Sequence, residues 1–163
     1  MLIRFPVRRP APTLFQTIHH LIRLETQECL EFIDLTDEII ALVQSSGISH
    51  GMVNVQTQHT TAAIIVNEDE PLLLEDLRRT LEQMAPRSVA YRHDDFSIRT
   101  ANLTPDEKPN GHAHCKALFL RSSETLNIVG GRPELGRWQR LFFVELDCAR
   151  ERTVSVMLMG QTE

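Results

Sequence analysis

Apolar and polar positions follow two different periods along this chain of 163 residues. Where they alternate one by one, or where a short apolar run is bounded by polar residues, the pattern indicates a β-strand. The pattern predicts strands over residues 14–25, 30–34, 52–58, 62–66, 113–120, 125–129, 138–146 and 153–159. Strands therefore dominate the chain, and the last four are consecutive.

Two segments instead show the spacing of an amphipathic helix. The first begins at Thr36, which we expect to cap it, and ends at Gly47. The second begins at Pro71, a residue favoured in the first helical turn, and ends before Pro86. The sequence therefore predicts two main helices between groups of strands.

The order of strands, helix, strands, helix and strands is typical of an α+β fold. We expect a mixed, mostly antiparallel β-sheet or sandwich core with two main helices. Residues 1–12 contain three arginines and three prolines and predict an extended arm, followed by a single domain over residues 13–163. Residues 87–111 are polar and long for a loop in a compact domain, which points to a functional or disordered segment.

Composition excludes several classes of protein. A formal net charge of −5 argues against nucleic-acid binding, which needs a basic surface. No apolar run reaches the roughly 20 residues of a membrane-spanning helix, so we expect no membrane contact. The three cysteines are not in CxxC spacing and cannot all pair, which predicts reduced thiols in a cytoplasmic protein.

Histidines supply the most informative chemistry. His112 and His114 stand two residues apart after Asn110-Gly111, so on the predicted strand their imidazoles would share one face. His59 and His93 lie in two other polar segments. Because neutral imidazole is a common metal ligand and also titrates near neutral pH, the four histidines indicate a metal site or an acid–base site.

Polar side chains next to the predicted strands extend this candidate site. Asn67 and Glu68 follow a short apolar strand, although acids at this point could equally cap the second helix. Glu145 lies among apolar residues of a late strand, where a buried carboxylate must be paired, protonated or facing a polar cavity. An exposed face of that strand is the alternative position for Glu145.

Taken together, these motifs resemble the YjbQ family, also described as secondary thiamine-phosphate synthase enzymes. The resemblance covers most of the chain, from about residue 15 to 160, and the motifs occur in the order of the family. The matching pieces are Gln58-His59-Thr60-Thr61-Ala62-Ala63, Asn67-Glu68, Tyr91-Arg92-His93-Asp94-Asp95, Asn110-Gly111-His112-Ala113-His114-Cys115-Lys116, Gly131-Arg132, Leu135-Gly136-Arg137-Trp138-Gln139 and the strand with Glu145.

The resemblance implies a homotrimer whose site holds a divalent metal, Mg²⁺ or Zn²⁺, near a subunit boundary. It also implies an activity that joins hydroxymethylpyrimidine pyrophosphate to thiazole phosphate, which is treated as a secondary activity of the family. On this basis the expected metal ligands are His59, His93, His112 and His114. The expected catalytic residues are His59, Asn67, Glu68 and Glu145.

The same resemblance implies a small phosphorylated heterocycle as the substrate. Positive charge would stabilise its departing pyrophosphate. The expected substrate-binding residues are Thr60, Lys116, Arg132 and Gln139. Two alternatives stay open at this point: a metal-dependent hydrolase of a phosphorylated metabolite, and a non-catalytic trimeric protein whose histidines hold a metal.

Overall fold

The structure is a computed structural model that describes residues 14–162. The extended arm predicted over residues 1–12 lies outside the described residues. The strands are β1 (Phe15–Glu25), β2 (Phe32–Asp34), β3 (Ile48–Thr57), β4 (Ala62–Asn67), β5 (Ser123–Val129), β6 (Arg132–Pro133), β7 (Arg140–Glu145) and β8 (Glu151–Thr162). The helices are α1 (Thr36–Ser46), α2 (Pro71–Met84) and α3 (Gly111–Ala117), with a short 3-10 turn at Arg92–Asp94. Of these helices, none is both long enough and apolar enough to cross a membrane.

The described strands form two antiparallel sheets. The larger sheet has the order β1-β8-β3-β5-β6, and the smaller one has the order β2-β7-β4. The long strands β1 and β8 pair along their whole shared length, from Phe15 opposite Gln161 to Glu25 opposite Glu151. This arrangement confirms the predicted α+β class with a mostly antiparallel core.

The smaller sheet is buried on both faces, which makes the fold three layers deep. One face packs with α1 against the larger sheet and contributes Ile64 and Phe143 to the main core. The other face packs against α2 and α3 and contributes Phe142 and Val144 to a second core. Burial on both faces explains why β7 reads as an almost continuous apolar run.

The two predicted helices begin close to the expected positions. Glu70 caps α2, because its carboxylate accepts hydrogen bonds from the backbone N–H groups of Leu72 and Leu73. The prediction that Thr36 caps α1 is wrong, since the hydroxyl of Thr36 instead accepts from the backbone of Leu141 in β7. Asp34 takes the capping role and accepts from the N–H of Thr36 at 2.8 Å.

The prediction of a strand over residues 113–120 is wrong, because residues 113–117 belong to α3 and residues 118–120 form a turn after it. Its N-terminal amides are held by Asp94, whose Oδ1 accepts from the N–H groups of Asn110 and Gly111 at 2.9 and 2.8 Å. Gly111 is required here, since a Cβ would come within 2.5 Å of the Tyr91 Cβ. A capping group 16 residues away lies beyond any local sequence pattern, so the short apolar run was misread.

Candidate functional site

A cavity of about 440 Å³ opens where the β3–β4 turn, the segment before α3 and the start of β8 meet. Three of the predicted histidines and Thr60 line it. The complete lining is Gln58, His59, Thr60, Thr61, His93, Arg99, Asn102, Glu107, Asn110, His114, Arg150 and Arg152. The cavity is the place where the fold concentrates imidazole, guanidinium and amide groups, and we treat it as the candidate site.

His59 is held in one orientation at the end of β3. Its Nε2 accepts a hydrogen bond from the backbone N–H of Thr153 at 2.8 Å. Because an amide N–H only donates, Nε2 carries a lone pair and the proton of the neutral ring is on Nδ1. Burial, and then the positive charge of Arg152, lower the pKa of His59 below 6.5.

His93 and His114 form a pair on the opposite wall. Their ring centroids are 4.7 Å apart, with the ring planes inclined by 64°. Burial lowers the pKa of His114, and the charges of His93 and Arg99 lower it further. The Nε2 atom of His93 is buried and has no hydrogen-bond partner among the described residues. The wall of the cavity therefore contains a neutral imidazole and a second ring whose buried Nε2 has no partner among the described residues.

Asn110 contributes a second unpaired polar atom. The residue is only 6 % exposed, and its Oδ1 has no hydrogen-bond partner among residues 14–162. Although Asn110 directly precedes α3, its side chain makes no capping hydrogen bond, since Asp94 satisfies those amides. A buried amide oxygen without a partner is costly, which makes Asn110 a candidate for contact with a bound molecule.

A buried ion pair forms the base of the cavity. The guanidinium of Arg152 contacts both carboxylate oxygens of Glu145, with Nε to Oε2 at 2.6 Å. Thr26 and the backbone N–H of Asp147 also donate to this carboxylate. Glu145 is fully buried and does not line the cavity, so it reaches the site only through Arg152.

Two further arginines stand at the edge of the cavity. Arg99 pairs with Glu107 at 3.1 Å and also donates to three backbone carbonyls of its own loop. Arg150 lies 2.8 Å from Asp147 Oδ2, an ion pair that lacks the alignment of a hydrogen bond. Arg150 is the most exposed of the three arginines, with 39 % of its side chain accessible.

His112 and Lys116 lie on the other side of α3. Residues two apart on a helix differ by about 200°, so His112 and His114 face opposite ways. Lys116 is fully buried and its Nζ donates to the carbonyl of Ala85 at 2.7 Å, with Glu82 at 3.0 Å. The expectation that the two α3 histidines share a face is wrong because it assumed a strand.

The remaining predicted residues do not reach this cavity. Asn67 uses its Oδ1 on the backbone of Glu68, whose side chain is exposed. Arg132 is exposed on β6, and Gln139 accepts from the backbone of Gly136. The fold thus gathers His59, Thr60, His93 and His114 and separates the others.

Sequence reasoning did not single out Arg99, Asn110, Arg150 or Arg152 as site residues. One usable signal was the alternation Arg150-Glu151-Arg152 at the start of a strand, which places two guanidinium groups on one face. Arg99 and Asn110 gave no such signal, because the path of the long loop decides where their side chains lie.

The described residues do not fit a metal ion. Among residues 14–162, no group of three or more His, Cys, Asp and Glu side chains is arranged to hold one. His59 would also lose its bond to Thr153 if Nε2 bound a metal, and its Nδ1 already carries the proton. The expectation that the chain is a metal-binding protein is therefore wrong.

Comparison with known proteins identifies the family. The family model described as "UPF0047 protein YjbQ-like" matches residues 20–161. The chain belongs to the YjbQ family. A UPF0047 protein of Methanothermobacter thermautotrophicus is 35 % identical over 138 residues, which cover 85 % of this chain and 89 % of that protein. YugU of Bacillus subtilis is 31 % identical over 140 residues, covering 85 % and 97 % respectively.

Solved structures of YjbQ relatives share the fold. A YbjQ-like protein of unknown function from Sulfolobus solfataricus aligns with a TM-score of 0.79 and 32 % identity, covering 90 % of this chain and 99 % of that one. An uncharacterised YjbQ/UPF0047 protein from Clostridium acetobutylicum aligns with a TM-score of 0.74 and 34 % identity, covering 85 % and 98 %. Both alignments extend over nearly the whole relative.

These matches overturn the expected activity. The relatives are named only as UPF0047 or YjbQ-like proteins, and the Sulfolobus solfataricus protein is described as one of unknown function. None of these names supports thiamine-phosphate synthase or other transferase activity, so that prediction is wrong. The two alternatives depended on a metal held by histidines, and the arrangement of the described residues removes their basis.

Proposed function

We propose that the cavity binds a small polar molecule with an anionic group, and that the His93–His114 pair exchanges a proton with it. The observation that carries the proposal is a pair of buried, unpartnered atoms, His93 Nε2 and Asn110 Oδ1, on residues that line the cavity. Leaving a buried polar atom unpaired costs roughly 1–3 kcal/mol. A molecule that bonds to both atoms would remove this cost on binding.

The arginines argue for an anionic group on the ligand. Glu107, Glu145 and Asp147 each neutralise one guanidinium at the cavity. Arg152 is 4 % exposed and is bound to Glu145 through its Nε and Nη2, whereas Arg150 is 39 % exposed. The Nε of Arg150 donates to Cys148 and its Nη2 contacts Asp147. The Nη1 of Arg150 has no acceptor among the described residues. We therefore assign the anionic group to Arg150.

The electrostatics of the histidine pair favour proton exchange. His114 has a lowered pKa because of burial and the neighbouring His93, so it is neutral at pH 7. A neutral imidazole carries a lone pair that can accept a proton, and the ring of His93 lies beside it at a centroid distance of 4.7 Å. We therefore assign the role of proton acceptor in the pair to His114.

A ligand screen tests the proposal. Thermal unfolding would be followed with inorganic phosphate, acetate and a panel of small phosphorylated and carboxylated metabolites. We expect at least one anion to raise the Tm of the wild type, and Asn110→Ala to reduce that shift. Gln44→Ala, at an exposed position of α1, is the control and should behave as wild type. Absence of any shift, or an equal shift in Asn110→Ala, would overturn the proposal.

The homotrimer implied by the sequence resemblance is kept as a proposal. Its support is the outer face of the larger sheet, where Phe15, Leu21, Met52 and Val129 are exposed. Light scattering would give three times the 18.6 kDa chain mass if the proposal is correct, and a monomer mass would contradict it.

We also keep the cytoplasm as the proposed location. Cys29, Cys115 and Cys148 are free thiols in the described structure, which suits a reducing compartment. Fractionation of cells that express a tagged chain would check this, and recovery of the protein outside the cytoplasmic fraction would contradict it.

A further inference from the structure

We infer that His59 acts as a fixed hydrogen-bond donor to an anionic oxygen of the bound molecule, through its Nδ1–H. This inference rests on the proposed function of the same cavity and assigns a role to one residue that lines it. It differs from the roles expected for His59 from sequence, which were metal ligand and catalytic residue.

The backbone of β8 determines which nitrogen of His59 carries the proton. The N–H of Thr153 points at Nε2 at 2.8 Å, and the lone pair of Nε2 is used there. The backbone of His59 is held as well, since its N–H donates to the hydroxyl of buried Thr57 at 3.3 Å. The neutral ring is therefore locked with its proton on Nδ1 and has no lone pair for a proton or a metal.

Burial and the surrounding charges keep this ring neutral. Burial, and then the charges of Arg152 and Arg150, lower the pKa of His59, whereas the charge of Glu145 raises it. Protonation would also place an Nε2–H against the N–H of Thr153, which would break the 2.8 Å bond. Both effects agree with the lowered pKa of His59.

A neutral donor of this kind has a defined use in a binding site. It can stabilise negative charge on an oxygen without giving up its proton, and it needs no reorganisation when the charge develops. His93 offers the opposite chemistry, because its Nε2 faces no protein partner among the described residues. The cavity therefore combines a fixed donor on one wall with a proton-exchanging pair on the other.

Imidazole ¹⁵N NMR tests the tautomer without any ligand. We expect the two-bond ¹H–¹⁵N pattern of His59 to show a protonated Nδ1 and an unprotonated Nε2 at pH 7. The exposed ring of His50, in β3, is the internal reference. A protonated Nε2 or a charged ring for His59 at pH 7 would overturn the inference.

Binding of inorganic phosphate to the wild type and two variants tests the role. His59→Ala removes the donor and should weaken binding at least tenfold, whereas His59→Asn places an amide N–H near the position of Nδ1 and should recover part of the loss. Equal affinity in the wild type and His59→Ala would overturn the inference and leave the proposed function standing. If no anion of the ligand screen binds the wild type, the proposed function fails, and the role assigned to His59 fails with it whatever the tautomer.

Discussion

The two faces of α3 use the same kinds of residue in opposite ways. On the inner face, Lys116 contacts Glu82, the carbonyl oxygen of Ala85 and His112, and Lys116 does not line the cavity of the candidate site. On the outer face, towards the cavity, Asn110 directly precedes the helix and keeps a buried oxygen that no described residue satisfies. A polar network in which every buried atom has a partner stabilises the fold, whereas a buried atom without a partner is suited to bind a ligand. The number of hydrogen-bond partners therefore separates structural from functional polar residues.

The inner network is closed but sensitive to charge. His112 stands between two cations, with Lys116 Nζ 3.3 Å from Nδ1 and Arg87 Nε 3.4 Å from Nε2. A neutral imidazole can accept from only one of them, and a protonated one can accept from neither. Burial, Lys116 and Arg87 accordingly lower the pKa of His112. The inner face thus depends on a neutral histidine, and acid should disrupt it.

The largest expected effect on stability comes from removing the amino group of Lys116 from the network on the inner face. Lys116→Met keeps most of the side-chain volume but leaves Glu82 and the Ala85 carbonyl without their shared donor. Removing one partner of a buried polar pair costs about 3–5 kcal/mol, and the partial exposure of Glu82 places the expected loss near 3 kcal/mol. Urea unfolding measures it.

Lys108 is the matched control for this substitution, because it is the only other lysine in the chain and is exposed. Lys108→Met should change the free energy of unfolding by less than about 0.5 kcal/mol. Similar losses in the two variants would mean that the Lys116 network contributes nothing specific to stability.

Acid should weaken the same network by a smaller amount. His112 has a folded pKa below its unfolded value of 6.5, so the unfolded chain binds more protons as the pH falls. The contribution of neutral His112 to the free energy of unfolding is complete above pH 6.5 and is lost as the pH drops through the folded pKa. The loss is about 1.4 kcal/mol for each unit by which the folded pKa lies below the unfolded pKa. The pKa values of His59 and His114 are also lowered, so these residues also make the wild type less stable in acid. The difference in pH dependence between the wild type and His112→Gln therefore isolates the effect of His112.

The measurement is the free energy of unfolding between pH 5 and 8. His112→Gln cannot titrate, so its curve should be flatter than that of the wild type over the acid part of this range. His50→Gln, at an exposed position, should keep the wild-type slope. A wild-type slope in His112→Gln would show that the imidazole between Arg87 and Lys116 does not control acid sensitivity.

A substitution on the outer face should affect stability in the opposite direction from Lys116→Met. Asn110→Ala removes a buried oxygen that has no partner, so we expect stability to stay the same or rise by up to about 1 kcal/mol. The same variant should lose ligand affinity. Urea unfolding and the anion screen measure the two quantities on one preparation. A stability loss above about 1 kcal/mol would mean that Asn110 has a structural role like that of Lys116.

The contrast between the faces also marks where sequence reasoning ended. Local patterns were sufficient for α2 and for the long strand β1, because caps and periodicity lie within a few residues of each element. They failed for α3, whose first amides depend on Asp94 far along the chain. The sequence predicts three histidines of the cavity as site residues, but it gives Asn110 no role in the site.

The physical reason is that burial and pairing are tertiary properties. Glu145 reads as an isolated carboxylate in an apolar strand, and only the fold shows that Arg152 neutralises it. Lys116 reads as a cation next to a histidine motif, and only the helical geometry turns it away from the cavity. Residue type was therefore a good guide to which side chains carry chemistry and a poor guide to the direction they face.

The smallest expected effect lies at Glu68, which sequence patterns placed among the catalytic residues. Its side chain is exposed and does not line the cavity, and its backbone N–H donates to Oδ1 of Asn67. Glu68→Gln should therefore change the free energy of unfolding by less than about 0.5 kcal/mol and leave anion binding as in the wild type. Loss of binding in Glu68→Gln, with Asn110→Ala unaffected, would place the functional site at the start of α2 and reverse the assignment of the two faces of α3.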